Sequence, residues 1–199
     1  DEEAETLEIY LRDRVMNTKI ILSYTIFENL PVIIRNTRFA HEGESSIVLE
    51  RAMSLNLDLP DDRYEMVELT GAWARERYVK TAPLHEGIQA IYSMRGHSSH
   101  QFNPFFALKR PETTEDAGEA IGISLVYSGN FLGQTAVDTF GVARAMIGIH
   151  PEGFSWTLKK GETFQTPEAV LVYSGEGLGK MSRTFHRLYR KRLARGYWR

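Results

Sequence analysis

The densest run of chemically capable side chains is Arg95-Gly96-His97-Ser98-Ser99-His100-Gln101-Phe102-Asn103-Pro104-Phe105. Two nearby imidazoles, His97 and His100, can share a metal ion, but a metal centre needs further donors. No carboxylate or third histidine lies close by in the sequence, so no metal site is assigned. Serine beside histidine can supply a nucleophile and its base, yet such a triad is defined in space and adjacent pairs arise by chance. The plainer expectation is a polar corner between two strands, where hydroxyl, imidazole and amide groups satisfy backbone groups.

Thr70-Gly71-Ala72-Trp73-Ala74-Arg75-Glu76-Arg77 is the second candidate. A tryptophan after Gly-Ala sits on a tight, lightly covered backbone, where an indole can stack on a sugar face or fill the core. Carboxylates give less. Glycoside hydrolysis needs two of them flanking the scissile bond. Asp61-Asp62 lies in a turn with Pro60, and Glu42 and Glu44 surround Gly43; these settings read as solvated loops, and no catalytic residue is assigned.

The elements that must position these groups are mostly strands. Thr6–Asp13 alternates apolar and polar residues, as a half-buried strand does. Lys19–Phe27 and Val32–Phe39 are rich in β-branched and aromatic residues, with Glu28-Asn29-Leu30-Pro31 as the turn between them. Ser46–Met53, Gln89–Met94, Gly122–Tyr127, Thr135–Phe140, Arg144–Ile149 and Ala169–Tyr173 continue the pattern. Ser128-Gly129-Asn130, His150-Pro151-Glu152-Gly153 and Lys160-Gly161 break it. Short strands at this spacing predict a mainly β sandwich or barrel. With 199 residues, 42% of them hydrophobic and 25% charged, the chain suits one large all-β domain. It has no cysteine, which removes disulfides and thiolate metal sites and favours a reducing, cytoplasmic setting. No stretch is long and apolar enough for a membrane helix, and no secretory leader is visible.

One segment departs from the β pattern. Leu178, Met181, Phe185 and Leu188 form the stripe of an amphipathic helix over Leu178–Arg195, and Gly196 is a natural stop. Residues 180–199 carry 8 of the 24 basic side chains and no acid, on a chain of net charge −2. Clustered cations can neutralise phosphates, but they come with no nucleic-acid motif. An apolar stripe needs a surface to cover it, and a domain following residue 199 is the expected one.

Taken together, Leu69 to Arg77, Arg95 to Leu108, Tyr127-Ser128-Gly129-Asn130-Phe131 and Phe185-His186-Arg187-Leu188-Tyr189-Arg190 resemble glycoside hydrolase family 36, the microbial α-galactosidases. The likeness runs over essentially the whole chain. It implies a β-supersandwich of the galactose-mutarotase-like kind over residues 1–176, with further strands upstream of residue 1. A linker helix over 177–199 would lead to a catalytic (β/α)₈ barrel that lies outside the chain. Both catalytic aspartates would lie on that barrel, so the resemblance transfers no catalytic residue here. It transfers one binding residue: Trp73, near the galactose pocket.

The parent so implied is a retaining α-galactosidase acting on melibiose and raffinose-type sugars, without cofactor or metal. The resemblance implies a homo-oligomer, a tetramer, in which sandwich domains help complete neighbouring active sites. The chain alone would be inactive, a module for assembly and for completing the pocket. The alternative is a free-standing carbohydrate-binding β-sandwich; binding to nucleic acid or membrane is not expected. The helix stripe is expected to be shared between the sandwich and the missing barrel, and so poorly buried on the sandwich alone.

Overall fold

The computed structural model describes residues 3–194, 196 and 197. Arg195 and Arg199, the last two cations of the basic tail, lie outside the described residues, as do Asp1, Glu2 and Trp198. Fifteen strands are followed by one helix: β1 (Ala4–Asp13), β2 (Thr18–Phe27), β3 (Leu30–His41), β4 (Ile47–Leu49), β5 (Met53–Asp58), β6 (Glu65–Ala72), β7 (Arg75–Pro83), β8 (Gly87–Ser93), β9 (Phe102–Lys109), β10 (Ala120–Leu125), β11 (Phe131–Val137), β12 (Ala143–Ile149), β13 (Trp156–Leu158), β14 (Thr163–Gln165), β15 (Ala169–Ser174) and α1 (Gly177–Leu188). One turn of wider π-helix, Tyr189–Leu193, extends α1.

The mainly β expectation holds, with one terminal helix. A nine-stranded sheet runs β1-β2-β3-β15-β10-β9-β6-β7, with β14 also paired to β3, and a four-stranded sheet runs β5-β12-β11-β8. All of these pairings are antiparallel. The two sheets enclose a core of Phe106, Leu108, Ile123, Ile91, Phe131 and Ile147, each of them shielded completely from solvent. Burial of such residues is the main favourable term in folding.

Strands β6, β7 and β9 go beyond what the sequence predicted, and two expected spans shift. Ser46–Met53 is not one strand: Ile47–Leu49 pairs with β13, and Met53–Asp58 starts a separate strand paired with β12. The strand expected at Thr135–Phe140 occupies Phe131–Val137 instead. Asp138 ends it, because its Oδ1 accepts hydrogen bonds from the amides of Phe140 and Val142 at 2.8 and 2.9 Å and so closes a turn.

The terminal helix corrects a further expectation. Its stripe is not left half-covered: Met181, Phe185 and Leu188 are 5%, 5% and 2% exposed. They form a second apolar layer with Val32, Val170 and Val172 on the outer face of the large sheet. The helix also starts without a capping side chain. Instead the amides of Gly177, Leu178 and Gly179 donate to the carbonyls of Gly118, Thr114 and Glu115 at 2.9, 3.0 and 2.9 Å. A neighbouring loop thus satisfies helix-start donors that have no intrahelical partner.

Gly177 makes this docking possible, with φ of +79° and room for no Cβ, which would lie 2.5 Å from the Glu115 carbonyl oxygen. Gly177→Ala is expected to cost about 1–3 kcal/mol, from left-handed strain and that clash. Hydrogen exchange of the first turn of α1 should speed up in the variant; unchanged protection there would count against this account.

A cluster of charges ties the loop before β6 to the turn between β9 and β10. Arg110 pairs with Asp61 at 2.6 Å and with Glu119 at 3.3 Å, and lies 3.8 Å over the Tyr64 ring. The hydrogen bond from Arg110 holds the Asp61 carboxyl down at about 2, from an ordinary value of 3.8. Because the folded value is the lower one, this contribution to stability is present above pH 3.8 and is lost as pH falls towards 2. Asp61→Asn should therefore flatten the acid limb of the melting temperature between pH 4 and 2, a comparison read by thermal unfolding at a series of pH values.

Candidate functional site

Three of the sequence segments singled out above meet at one end of the sandwich. Strands β6 and β7 form a hairpin in which Ala72 pairs with Arg75, leaving Trp73 and Ala74 as a two-residue tip. Trp73 is 85% exposed, so the core alternative for this indole does not hold in this chain. The backbone at the tip and just beyond it in β7 is held in conformations that side chains disfavour: Ala74 and Arg77 have φ of 62° and 61°. Such outliers cluster where a surrounding structure fixes a functional group.

The fixing element is the corner between β8 and β9. The Gly71 amide donates to the Gln101 carbonyl at 3.1 Å. A Cβ on Gly71 would stand 2.7 Å from the carbonyl oxygens of both His100 and Arg75, so only glycine lets the hairpin lie this close to the corner. The corner is itself tied down. Ser93 Oγ donates to the His97 carbonyl at 2.6 Å, and His97 Nδ1 donates to the Ser98 carbonyl at 2.8 Å. Asn130 Oδ1 accepts from the Gly96 amide at 2.7 Å, and the Ser98 amide reaches the Ser128 carbonyl at 2.8 Å. His97 and Ser99 of this stretch thus bond to backbone, as in a polar corner, whereas the buried Asn103 Oδ1 has no hydrogen-bond partner among the described residues.

A pocket of about 400 Å³ opens beside the hairpin, lined by Thr70, Gly71, Arg75, Tyr78, Gln101 and Phe102. It offers aromatic faces and polar hydrogen-bonding groups, a composition suited to small polar ligands. Neither the pinning of the hairpin to the corner nor the pocket was visible in the sequence, since both depend on residues about thirty positions apart, such as Gly71 and Gln101.

Three of the four acids weighed for catalysis, all but Asp62, are occupied elsewhere. Asp61 is held by Arg110, Glu42 by Lys19 and Glu44 by Lys160. Its hydrogen bond from Lys19 also holds the Glu42 carboxyl below its ordinary value. Among the described residues, no three histidine, aspartate or glutamate side chains come together as a metal centre would require. No helix of the described residues is long and apolar enough to cross a membrane. Some tail cations meet acids: Arg192 pairs with Glu3 and Lys180 with Glu176.

Comparison with known proteins gives this geometry a context. Residues 1–159 match the family model described as glycosyl hydrolase family 36 N-terminal domain, and residues 163–199 match the one described as melibiase. The chain is 51% identical over its whole length to alpha-galactosidase AgaA of Geobacillus stearothermophilus, and 43% identical over 98% of its length to alpha-galactosidase Mel36A of Lactobacillus acidophilus. It spans about a quarter of those relatives, 27% in each case. A crystal structure of a GH36 AgaA variant from Geobacillus stearothermophilus in complex with stachyose matches at TM-score 0.97 and 51% identity, over 99% of this chain and 27% of that one. The alpha-galactosidase structure from Lactobacillus brevis matches at 0.94 and 42%, over 96% and 26%. On its sequence and its fold, the chain belongs to the glycosyl hydrolase family 36 N-terminal domains.

Proposed function

We propose that this chain is the non-catalytic N-terminal part of an α-galactosidase that removes terminal α-linked galactose from raffinose-type sugars. Identity of 51% along the whole chain to an alpha-galactosidase is the observation that carries the reading. Crystal structures of that relative's variants hold stachyose and raffinose, the substrate class proposed here. Trp73 then serves as a platform at the galactose pocket, its own or that of a neighbouring subunit in a homo-oligomer, a tetramer. An indole held out on a rigid, pinned tip suits that task, because large aromatics give apolar area with few rotatable bonds. The site needs no cofactor, and a cytoplasmic location fits a chain without cysteine.

The test is a chromogenic α-galactoside offered to the full-length enzyme and to the 199-residue chain. Turnover is expected only from the former, since glycoside hydrolysis needs a pair of carboxyl groups across the scissile bond. Comparable turnover by the chain alone would overthrow its assignment as non-catalytic.

A further inference from the structure

Strand β5 is an edge of the four-stranded sheet and lies against β3 of the large one. Where they meet, a cleft of about 840 Å³ opens, a volume within the range of small-molecule sites. One wall is Ile20, Leu22 and Phe39 of β2 and β3. The other is Asn56, Met146 and Gln134, which are neighbours across β5, β12 and β11. Two of the polar side chains lining the cleft are almost wholly buried with bonds left unmade. Arg35, 6% exposed, donates through Nη1 to the Ser54 carbonyl and to Thr37 Oγ1 at 3.2 Å, and lies 5.5 Å over the Tyr24 ring. Its Nε has no hydrogen-bond partner, and no carboxylate among the described residues pairs with its guanidinium. Gln134, 7% exposed, makes no side-chain hydrogen bond with any described residue.

The charges in the cleft are unbalanced. Arg51, exposed at the rim, also has no ion pair among the described residues, and Arg144 pairs with Asp58 at 2.5 Å. One acid lines the cleft, Asp138, and its Oδ1 is taken by the amides of Phe140 and Val142. Three cations thus face one acid, or two when Asp58 is included. A buried cation without a counter-ion is costly, and an anion beside it removes that cost. Along β5 the order is Arg51 before the strand, the Ser54 carbonyl that Arg35 reaches, Asn56, and then Asp58 with Arg144. The unpaired cations therefore share one end of the cleft.

We propose that this cleft binds a small phosphorylated sugar, with its phosphate at Arg35 and Arg51 and its hydroxyls at Asn56 and Gln134. Guanidinium groups are the favoured partners of phosphate oxygens, which they meet with charge-assisted hydrogen bonds. Carboxamides both donate and accept, and so match sugar hydroxyls. Phe39, Ile88 and Met146 offer apolar surface to the carbon face of a pyranose ring. The Trp73 hairpin takes no part in this cleft, and the proposal stands apart from the reading of the chain as part of an α-galactosidase.

The experiment is isothermal titration calorimetry of the full-length protein with glucose 6-phosphate, glucose and inorganic phosphate. Glucose 6-phosphate is expected to bind at least about tenfold more tightly than either of the other two, because only it uses both ends of the site. Arg35→Met should weaken that binding by at least about tenfold, the loss of a charge-assisted hydrogen bond. Arg51→Glu, a change at an exposed position, should weaken it by about tenfold, by turning attraction into repulsion. If Arg35→Met does not fold, Arg51→Glu decides alone. No heat from glucose 6-phosphate at millimolar concentration would overturn the proposal. Glucose binding as tightly as its phosphate would make this a neutral-sugar site, and inorganic phosphate binding as tightly would make it a simple anion site; either result overturns the proposal. Unchanged affinity in Arg51→Glu would place the bound sugar phosphate elsewhere on the protein, and would equally overturn it.

Discussion

Trp73→Ala in the full-length enzyme is expected to lower kcat/KM for an α-galactoside by about thirtyfold, with the melting temperature nearly unchanged. The size follows from aromatic residues at the centre of recognition sites, whose truncation costs about 2 kcal/mol or more, where 1.4 kcal/mol is tenfold. The unchanged stability follows from exposure: at 85% exposed the indole packs against little of its own domain. Surface substitutions of that kind stay within about 0.5 kcal/mol. Kinetics and thermal unfolding on the same preparation separate the two effects. Wild-type kcat/KM in the variant would remove Trp73 from the pocket.

Phe106→Ala should have the largest effect on folding. The ring is completely buried between the sheets, 3.2 Å from where a Cβ on Gly133 would stand, so the space it leaves is walled by strands from both sides. Phe→Ala at such a site costs about 3–5 kcal/mol, a large share of the total of about 5–15 kcal/mol typical of a domain. A fall in the urea midpoint of matching size is the expected reading. Phe106→Leu keeps most of the volume and should lose much less. Similar midpoints for the alanine variant and the wild type would mean that the core closes over the gap.

Much of this architecture was legible in the residues. β1 was placed from its alternation over Thr6–Asp13, although it is an edge strand whose residues in that span are all exposed and not half-buried, and the stripe Met181, Phe185, Leu188 marks α1. Strand β7 is the opposite edge, also exposed at all nine residues, and unlike β1 it carries no apolar alternation that would mark it. In β9 the pair Asn103-Pro104 reads as a breaker, although both residues lie within the strand. The covering of the helix stripe was misjudged for a related reason. Its partners Val32 and Val172 come from strands far apart in the chain, which no local pattern joins. At the site, Gly71-Ala72 pointed to an uncovered indole, and Trp73 is uncovered. What holds it in place, a carbonyl thirty residues on at Gln101, is a long-range contact.

The position of β15 has a consequence for how the chain is made. Last of the strands in sequence, it lies in the interior of the nine-stranded sheet, between β3 and β10. Val32 pairs with Val172 and Phe39 with Phe164, so the half of the sheet built on β1 to β3 has no hydrogen-bonded neighbour on that side until β14 and β15, residues 163–174, have been synthesised. During translation the early strands must therefore wait with an open edge, the arrangement most exposed to wrong pairing. Closure across such sequence distances is slow. A truncation at the boundary between the two matched family models, between residues 159 and 163, would remove β15 and divide the large sheet into two separate ribbons. The strand that joins the two halves of the large sheet is thus the last of the described strands to leave the ribosome.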